Sequence, residues 1–412
     1  GLYNVYCMSG RVAAIKPCKS DTSEIDPKNP EIGFIDAEGL IVFPGLVDLH
    51  SHLREPGHEY KETVETGCAS AAAGGFTTIL CMPNTMPVND NESVTRYILD
   101  KAASTGVRVH PVGAISSGLK GERLSEMAGL KAAGCVAFTD DGRPVEDARL
   151  MRRALEYAGA LGTPVITHAE DLRLSNNGAM NEGPVSTRLG LQGIPNAAED
   201  AAIARDISLA GLTGSRLHVA HVSTRGGVEL IRRAKENGVK VTAEATPHHL
   251  TLTDKEVEGY DTNAKMNPPL RSEEDMLALR QALKDSTIDC IATDHAPQSS
   301  LEKEIEFDRA SNGIIGFETA FSLIYGLVEE GVLTLSDAIR KMTVNPAGIM
   351  GLECGGISVG SAADIAIADL SGTWTVEKTA IRSRSKNTPY MGRTLKGVIV
   401  KTIAGGRVIY SR

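Results

Sequence analysis

The chain has 412 residues, of which 42% are hydrophobic and 23% charged, and its formal net charge is −9. This is the composition of a soluble globular protein, and the acidic balance argues against nucleic acids or anionic membranes as partners, because both require a basic surface. The seven cysteines are scattered without a CxxC pair, which argues against a disulfide framework or a cysteine zinc site. No apolar run reaches transmembrane length and no basic-then-apolar leader opens the chain, so we expect a cytoplasmic protein.

Short apolar runs alternate with longer segments of helical pattern from residue 45 onward. The runs are "GLVDLH" (45–50), "FTTILCMP" (76–83), "VRVHPVGA" (107–114), "GCVAFTDD" (134–141), "TPVITHAE" (163–170), "RLHVAH" (216–221), "VKVTAEAT" (239–246) and "IDCIATDH" (288–295). Alternating strands and helices imply parallel strands joined by right-handed crossovers. Eight repeats predict an α/β fold, a closed (β/α)₈ barrel of the TIM type.

The two ends of the chain differ from this pattern. They carry short strand-like runs punctuated by glycine, such as "GRVAAIK" near the start and "KGVIVKTIAGGRVIY" near the end. We therefore predict a small β-sandwich domain built from residues 1–43 and 355–412 beside a barrel of residues 44–354. The connection 297–313 follows the eighth run, where barrel loops carry function, and its position marks it as a candidate lid.

Histidines and aspartates stand where five of the eight runs end. They are His50, His52, Asp140, Asp141, His168, His221 and Asp294. In a barrel, the carboxyl ends of all strands meet at one mouth, so these side chains are expected to converge there. Four imidazoles with one or two carboxylates form a ligand set suited to Zn²⁺, which can activate a water molecule at an open coordination position.

Strand periodicity predicts which of these side chains face the barrel interior. Side chains at i and i+2 share a face, so His50 and His52 point the same way. His218 and His221 are three residues apart and are expected to face opposite sides. We place His221 inward, with Leu217 and Val219, and His218 outward.

Several motifs resemble those of a known family. They are "VDLHSHLREPG", "GGFTTILCMPNT", "AFTDDGRP", "ITHAED", "HVAHVST", "ATPHHL", "NPPLR" and "ATDHAP". In this order they resemble the dihydroorotases of the amidohydrolase superfamily, in particular the bacterial long-chain type. The resemblance implies the reversible cyclisation of N-carbamoyl-L-aspartate to L-dihydroorotate in de novo pyrimidine synthesis.

The resemblance also implies roles for the clustered side chains. His50, His52 and Asp294 would hold the more buried metal, and His168 and His221 would hold a second. Many relatives carry a carboxylated lysine on the fourth strand, where this chain reads "CVAFTDDG". The resemblance places an aspartate there, Asp141 rather than Asp140, and leaves the count at one or two zinc ions per subunit. Asp294 would also act as the catalytic base.

Substrate contacts are implied at five positions: Arg54, Asn84, Asn267, Gln298 and Gly313. Arg54 would form a bidentate pair with the ring carboxylate, a task for which the guanidinium is well suited. Gln298 stands where the family usually has histidine, and it can donate a hydrogen bond but no charge.

Two alternatives remain open at this level. One is a hydantoinase, dihydropyrimidinase or allantoinase, although these generally carry the strand-four lysine and lack an arginine after the HxH motif. The other is a non-catalytic homologue that serves as an assembly subunit. The partner expected is a small-molecule substrate, with self-association into a homo-oligomer and association with aspartate transcarbamoylase as further expectations.

Overall fold

The computed structural model describes residues 2–18 and 33–412. Its strands are β1 (Tyr3–Met8), β2 (Arg11–Pro17), β3 (Ile41–Pro44), β4 (Leu46–Ser51), β5 (Phe76–Cys81), β6 (Arg108–Pro111), β7 (Gly113–Ala114), β8 (Phe138–Thr139), β9 (Val165–Thr167), β10 (Met180–Asn181), β11 (Gly193–Ile194), β12 (Leu217–Val219), β13 (Val241–Ala245), β14 (Cys290–Ile291), β15 (Ile365–Thr375), β16 (Thr394–Ala404) and β17 (Arg407–Ser411). Its α-helices are α1 (Val64–Ala73), α2 (Glu92–Ala102), α3 (Met127–Ala133), α4 (Ala148–Ala160), α5 (Leu172–Ser175), α6 (Pro184–Leu189), α7 (Asn196–Thr213), α8 (Arg225–Glu236), α9 (Pro247–Thr251), α10 (Glu273–Lys284), α11 (Ser300–Lys303), α12 (Phe317–Glu329), α13 (Leu335–Lys341) and α14 (Val344–Met350). Short 3₁₀ turns span Ser117–Leu119, Asp254–Val257 and Thr262–Ala264.

All eight predicted runs contain a strand, and these strands form a closed parallel barrel. One arc has the order β4-β5-β6, and the other has the order β7-β8-β9-β12-β13-β14. Only Val112 separates β6 from β7, and its N–H donates to Cys81 O. At the other seam, the N–H of His52 donates to His295 O over 2.9 Å, beside a parallel bridge between Ser51 and His295.

The barrel strands are buried on both faces, which explains why they read as nearly continuous apolar runs. Their inner side chains, among them Val47, Leu80 and Ile166, form a core inside the barrel. Their outer side chains pack with the helices in a second, larger core. In the described part of the chain, no helix combines the length and the apolar character needed to cross a membrane.

Both ends of the chain contribute to a separate antiparallel sheet of order β17-β16-β15-β3. Along β15, Ile365 and Ile367 pack with side chains that include Val5 of the β1-β2 hairpin, and this forms the core of a small sandwich. The alternating Ala366 and Ala368 belong instead to the core of the barrel helices. The predicted fold, a TIM-type barrel with a small β-sandwich from both termini, is confirmed. The boundaries 1–43, 44–354 and 355–412 stay a prediction, and residues 19–32 lie outside the described residues.

Candidate metal centre and active site

Six buried side chains from five barrel strands meet at the carboxyl end of the barrel. They are His50, His52, Asp141, His168, His221 and Asp294. His50 lies within β4, and the other five follow the ends of β4, β8, β9, β12 and β14. The structure thus brings together six of the seven side chains that the strand ends predicted, all except Asp140, although they come from distant parts of the chain.

One half of the cluster is built on the HxH motif. His52 Nε2 lies 3.0 Å from Asp294 Oδ1. His50 Nε2 lies 3.2 Å from Asp141 Oδ1 and 3.6 Å from Asp294 Oδ1. Two aspartates therefore face the same pair of imidazole nitrogens.

The other half holds the remaining two imidazoles. His168 Nδ1 lies 3.0 Å from His221 Nε2. Asp141 Oδ1 lies 3.5 Å from His168 Nδ1 and 3.7 Å from His221 Nε2. A single oxygen of Asp141 thus lies between the two halves of the cluster.

The donor set fits a divalent metal ion. His50 Nε2 and Asp141 Oδ1 are fully buried and make no well-directed hydrogen bond, an unusual state for buried polar atoms. Imidazole nitrogens and carboxylate oxygens lie within 4.8 Å of one another in two groups, one of His50, Asp141 and His221 and one of His50, His52 and Asp294. Imidazole with carboxylate is a donor combination that Zn²⁺ commonly takes.

Three of the four histidines have their outer ring nitrogen fixed by a neighbour. His50 Nδ1 lies 3.0 Å from Glu244 Oε1, and His52 Nδ1 lies 2.9 Å from Asn84 Oδ1. His168 Nε2 lies 3.1 Å from Glu170 Oε2. Fixing one nitrogen of an imidazole determines which nitrogen is left to bind a metal.

The electrostatics of the cluster keep the two aspartates ionised. Burial opposes ionisation of Asp294, but the imidazoles of His50 and His52 more than offset it and hold the pKa of Asp294 well below its usual value. Asp141 shows the same balance, with His50 as the main opposing charge that lowers its pKa. Burial lowers the pKa of His168, yet the facing carboxylates of Asp141 and Glu170 more than offset it and raise the pKa to about 10. A proton on His168 competes with a metal, so metal binding would release protons.

The two adjacent aspartates of the "TDDG" motif have different surroundings. Asp140 Oδ1 accepts from the Ser116 N–H at 2.9 Å, and its second oxygen accepts from the Ser116 hydroxyl. Burial raises the pKa of Asp140 to about 6 despite these bonds. Asp141 faces the histidines, and Asp140 does not.

The predicted orientation of His218 is wrong. His218 is fully buried, and its Nε2 lies 3.0 Å from Glu244 Oε2, the same carboxylate that binds His50. Leu217 and Val219 instead pack in the core shared with the helices. The alternation failed because β12 ends at Val219, and His221 follows with a φ of 33°, which turns its side chain back toward the mouth.

The predicted substrate residues have unequal surroundings. Arg54 has a φ of 60° and donates from Nε to Pro297 O over 3.1 Å. Among the described residues, no carboxylate lies within ion-pair distance of its guanidinium, although Asp294 and Asp141 oppose the lowering of its pKa by burial. Asn84 contacts the centre directly, with its amide nitrogen 3.4 Å from Asp141 Oδ2.

The other predicted substrate residues differ in their distance from the centre. Asn267 Nδ2 lies 3.4 Å from His168 Nε2 and donates to Glu170 Oε2 over 2.9 Å. Gln298 Oε1 accepts from Lys61 Nζ at 2.8 Å, and its Nε2 donates to Asn312 O at 2.7 Å. At Gly313, a Cβ would lie 2.4 Å from Ala296 O, so the backbone there approaches the strand end as only glycine allows.

The candidate lid is fastened by a buried lysine. Lys303 Nζ donates to the carbonyl oxygens of Thr262 and Ser311, each at 2.8 Å, and to that of Lys265 at 3.2 Å. Burial, together with the nearby charge of Lys265, lowers the pKa of Lys303 to about 7, and the charge of Asp261 only partly opposes this. The role of this segment as a lid stays a prediction.

Sequence reasoning missed two carboxylates of the site, Glu170 and Glu244. Both are ionised, since hydrogen bonds from histidines outweigh burial and lower each pKa to about 2. Glu244 stands in the buried run "VTAEAT", where an acid requires a partner. That mismatch between residue type and burial was the signal available in the sequence.

Comparison with known proteins gives consistent results. A family model described as dihydro-orotase-like matches residues 39–227. A dihydroorotase of Geobacter metallireducens is 59% identical over 379 residues, which cover 92% of this chain and 89% of that protein. A dihydroorotase of Syntrophus aciditrophicus is 51% identical over 411 residues, with coverage of 100% and 95%. Among solved structures, the L-hydantoinase (dihydropyrimidinase) of Arthrobacter aurescens matches with a TM-score of 0.87 and 28% identity, over 99% of this chain and 92% of that chain.

Proposed function

The chain belongs to the dihydroorotase family, as its motifs predicted, and on that premise we propose that it interconverts N-carbamoyl-L-aspartate and L-dihydroorotate with the help of zinc. It is a cyclic amidohydrolase with a small-molecule substrate. The observation that carries the zinc dependence is the pair of buried, unpartnered atoms, His50 Nε2 and Asp141 Oδ1, within a ring of imidazoles and carboxylates.

The metal would be held by two sets of side chains. His50, His52 and Asp294 form the first, His168 and His221 the second, and Asp141 lies between them. When bound, a zinc ion supplies Lewis acidity for the ring carbonyl and lowers the pKa of a water molecule toward neutrality.

Asp294 is the residue we propose moves the proton. In the hydrolytic direction, its carboxylate takes a proton from the attacking water and delivers it to the ring nitrogen as the carbon–nitrogen bond breaks. In the synthetic direction, it removes a proton from the ureido nitrogen as that nitrogen bonds to the side-chain carboxyl carbon, and it delivers this proton to the carboxyl hydroxyl, which leaves as water. What supports this role is its position, since Asp294 Oδ1 lies 3.0 Å from His52 Nε2 and 3.6 Å from His50 Nε2 within the centre.

Arg54 is proposed to bind the ring carboxylate through its two Nη groups, because Nε is already engaged by Pro297. Asn84 would add an amide donor to the same carboxylate, and Asn267 would contact the ring amides. Gln298 retains one amide hydrogen beyond its bond to Asn312, and Gly313 would contribute a backbone contact.

A substrate comparison tests this function. Purified protein is assayed for hydrolysis of dihydroorotate, hydantoin, dihydrouracil and allantoin, each with and without a chelator. We expect turnover of dihydroorotate alone, and its loss on chelation. Hydantoin turnover above that of dihydroorotate would instead favour the hydantoinase alternative. Hydantoinases are a related family, to which the structurally similar Arthrobacter protein belongs.

The predicted assemblies need a separate measurement. Self-association and binding to aspartate transcarbamoylase are proposals that rest on the resemblance alone. Light scattering after size exclusion, with and without added aspartate transcarbamoylase, tests both.

A further inference from the structure

Glu244 touches three histidine residues at once. Its Oε1 lies 3.0 Å from His50 Nδ1 and accepts from the His221 backbone N–H at 3.3 Å. Its Oε2 lies 3.0 Å from His218 Nε2. The carboxylate is completely buried in the middle of β13, between the strand that precedes His221 and the strand that precedes Asp294.

The contact with His50 determines which ring nitrogen faces the metal centre. Because Glu244 accepts a hydrogen bond from Nδ1–H, the neutral imidazole of His50 carries its lone pair on Nε2. Nε2 is the atom that faces Asp141 and Asp294 and that makes no hydrogen bond of its own.

The contact with His221 holds a strained backbone. His221 has a φ of 33°, a conformation that L residues rarely adopt and that costs free energy unless neighbours enforce it. The hydrogen bond from its N–H to Glu244 Oε1 is such a constraint. This bond holds the backbone so that the His221 ring points into the centre. There the ring contacts that of His168, which lies 53 residues earlier in the chain.

His218 completes the arrangement from the other side of the carboxylate. Its Nδ1 lies 2.9 Å from Thr242 Oγ1, so both of its ring nitrogens have partners and it is not itself free to bind a metal. With both ring nitrogens engaged, His218 holds the second carboxylate oxygen of Glu244 in place while the first faces His50.

We propose that Glu244 is a positioning residue that sets the metal affinity of the centre by orienting His50 and His221 together. This inference rests on the metal centre of the proposed function. It predicts that removing the charge of Glu244 weakens metal binding even though Glu244 does not contact the metal. Losing a carboxylate partner of a metal-binding histidine typically weakens affinity by about 10- to 100-fold.

The test measures zinc affinity directly. Metal-free protein is titrated with zinc against a chromophoric chelator for the parent chain, Glu244→Gln and Glu244→Ala. Glutamine keeps the size of the side chain, so Glu244→Gln remains informative if the alanine variant fails to fold. Glu318→Gln is the matched control, since Glu318 is a buried glutamate that accepts from the N–H groups of Arg382 and Ser383 instead.

Each outcome has a defined meaning. We expect Glu244→Gln to bind zinc about 10- to 100-fold more weakly than the parent and Glu318→Gln to bind it equally. At saturating zinc, kcat of Glu244→Gln should recover most of the parent value. Equal affinities of the parent and Glu244→Gln, or an equal loss in both glutamine variants, overturns the inference while leaving the proposed function intact. A parent chain that binds no zinc overturns the proposed function itself.

Discussion

Replacing Arg54 by methionine removes the proposed partner of the substrate carboxylate without placing a new charge in the site. Nε of Arg54 is held by Pro297 O, so its two Nη groups remain for the ligand. Each charge-assisted hydrogen bond contributes about 1.5–3 kcal/mol, so losing two costs about 3–6 kcal/mol. With about 1.4 kcal/mol per factor of ten, kcat/KM for dihydroorotate should fall by about 10²- to 10⁴-fold. Arg54→Lys keeps the positive charge but loses the bidentate geometry of the guanidinium, so its kcat/KM should fall by about 10- to 100-fold.

Initial rates of dihydroorotate hydrolysis, measured over a range of substrate concentrations, give kcat/KM for each variant. Arginine, methionine and lysine would each adopt the same backbone conformation at position 54, with a φ of 60°. Differences in backbone strain therefore do not account for differences in kcat/KM among the three proteins. Arg309→Met is a control for the general loss of a positive charge, because Arg309 lies exposed on the candidate lid and pairs only with Glu306 among the described ion pairs. The assignment is refuted if Arg54→Met stays within about threefold of the parent while its metal content is unchanged.

Three further predictions concern the proton, the metal and the lid. Asp294→Ala should abolish turnover, and substantial activity with metal still bound, as measured by metal analysis, contradicts the assignment of Asp294 as the base. Chelation should lower Tm in differential scanning calorimetry, because a metal present at 100 times its Kd stabilises the fold by about 2.7 kcal/mol; an unchanged Tm argues against a metal in the centre. The pKa of Lys303 is about 7 in the folded protein, below its unfolded value of 10.5. Between these pH values the folded state binds fewer protons than the unfolded state, so the free energy of unfolding increases as pH rises. The difference in free energy of unfolding between the parent and Lys303→Met, from urea titrations at pH 7 to 10.5, should therefore shift in favour of the parent as pH rises, and a constant difference contradicts the low pKa.

The barrel could be predicted from sequence because its signal is local and repeated. Each strand is a short apolar run buried on both faces, and each is followed by a helical segment, so eight independent observations support one topology. The convergence of the imidazoles and carboxylates followed from the same reasoning, since the carboxyl ends of barrel strands meet at one mouth.

Side-chain orientations and contacts within the site could be predicted from the sequence less completely. Period-two alternation holds only while a strand continues, and β12 ends before His221. This is why His218 was assigned to the wrong face. Gln298 was predicted to contact substrate from its place in a motif, but its side chain is already bound to Lys61 and Asn312, partners that the motif does not show. Its contact with substrate stays a prediction.

Residue types and their spacing along the chain determined the architecture, the strand ends that carry imidazole or carboxylate, and the family to which the chain belongs. The resemblance implied Asp141 rather than Asp140, and the tertiary structure shows that Asp141 faces the histidines. Only the tertiary structure decided that Glu244 joins His50, His218 and His221. The physical reason is that hydrophobic periodicity is encoded within each segment, whereas a hydrogen bond between side chains depends on atoms about 3 Å apart that come from different strands. Such a distance is set by how all eight strands pack around the core, and no single segment contains it.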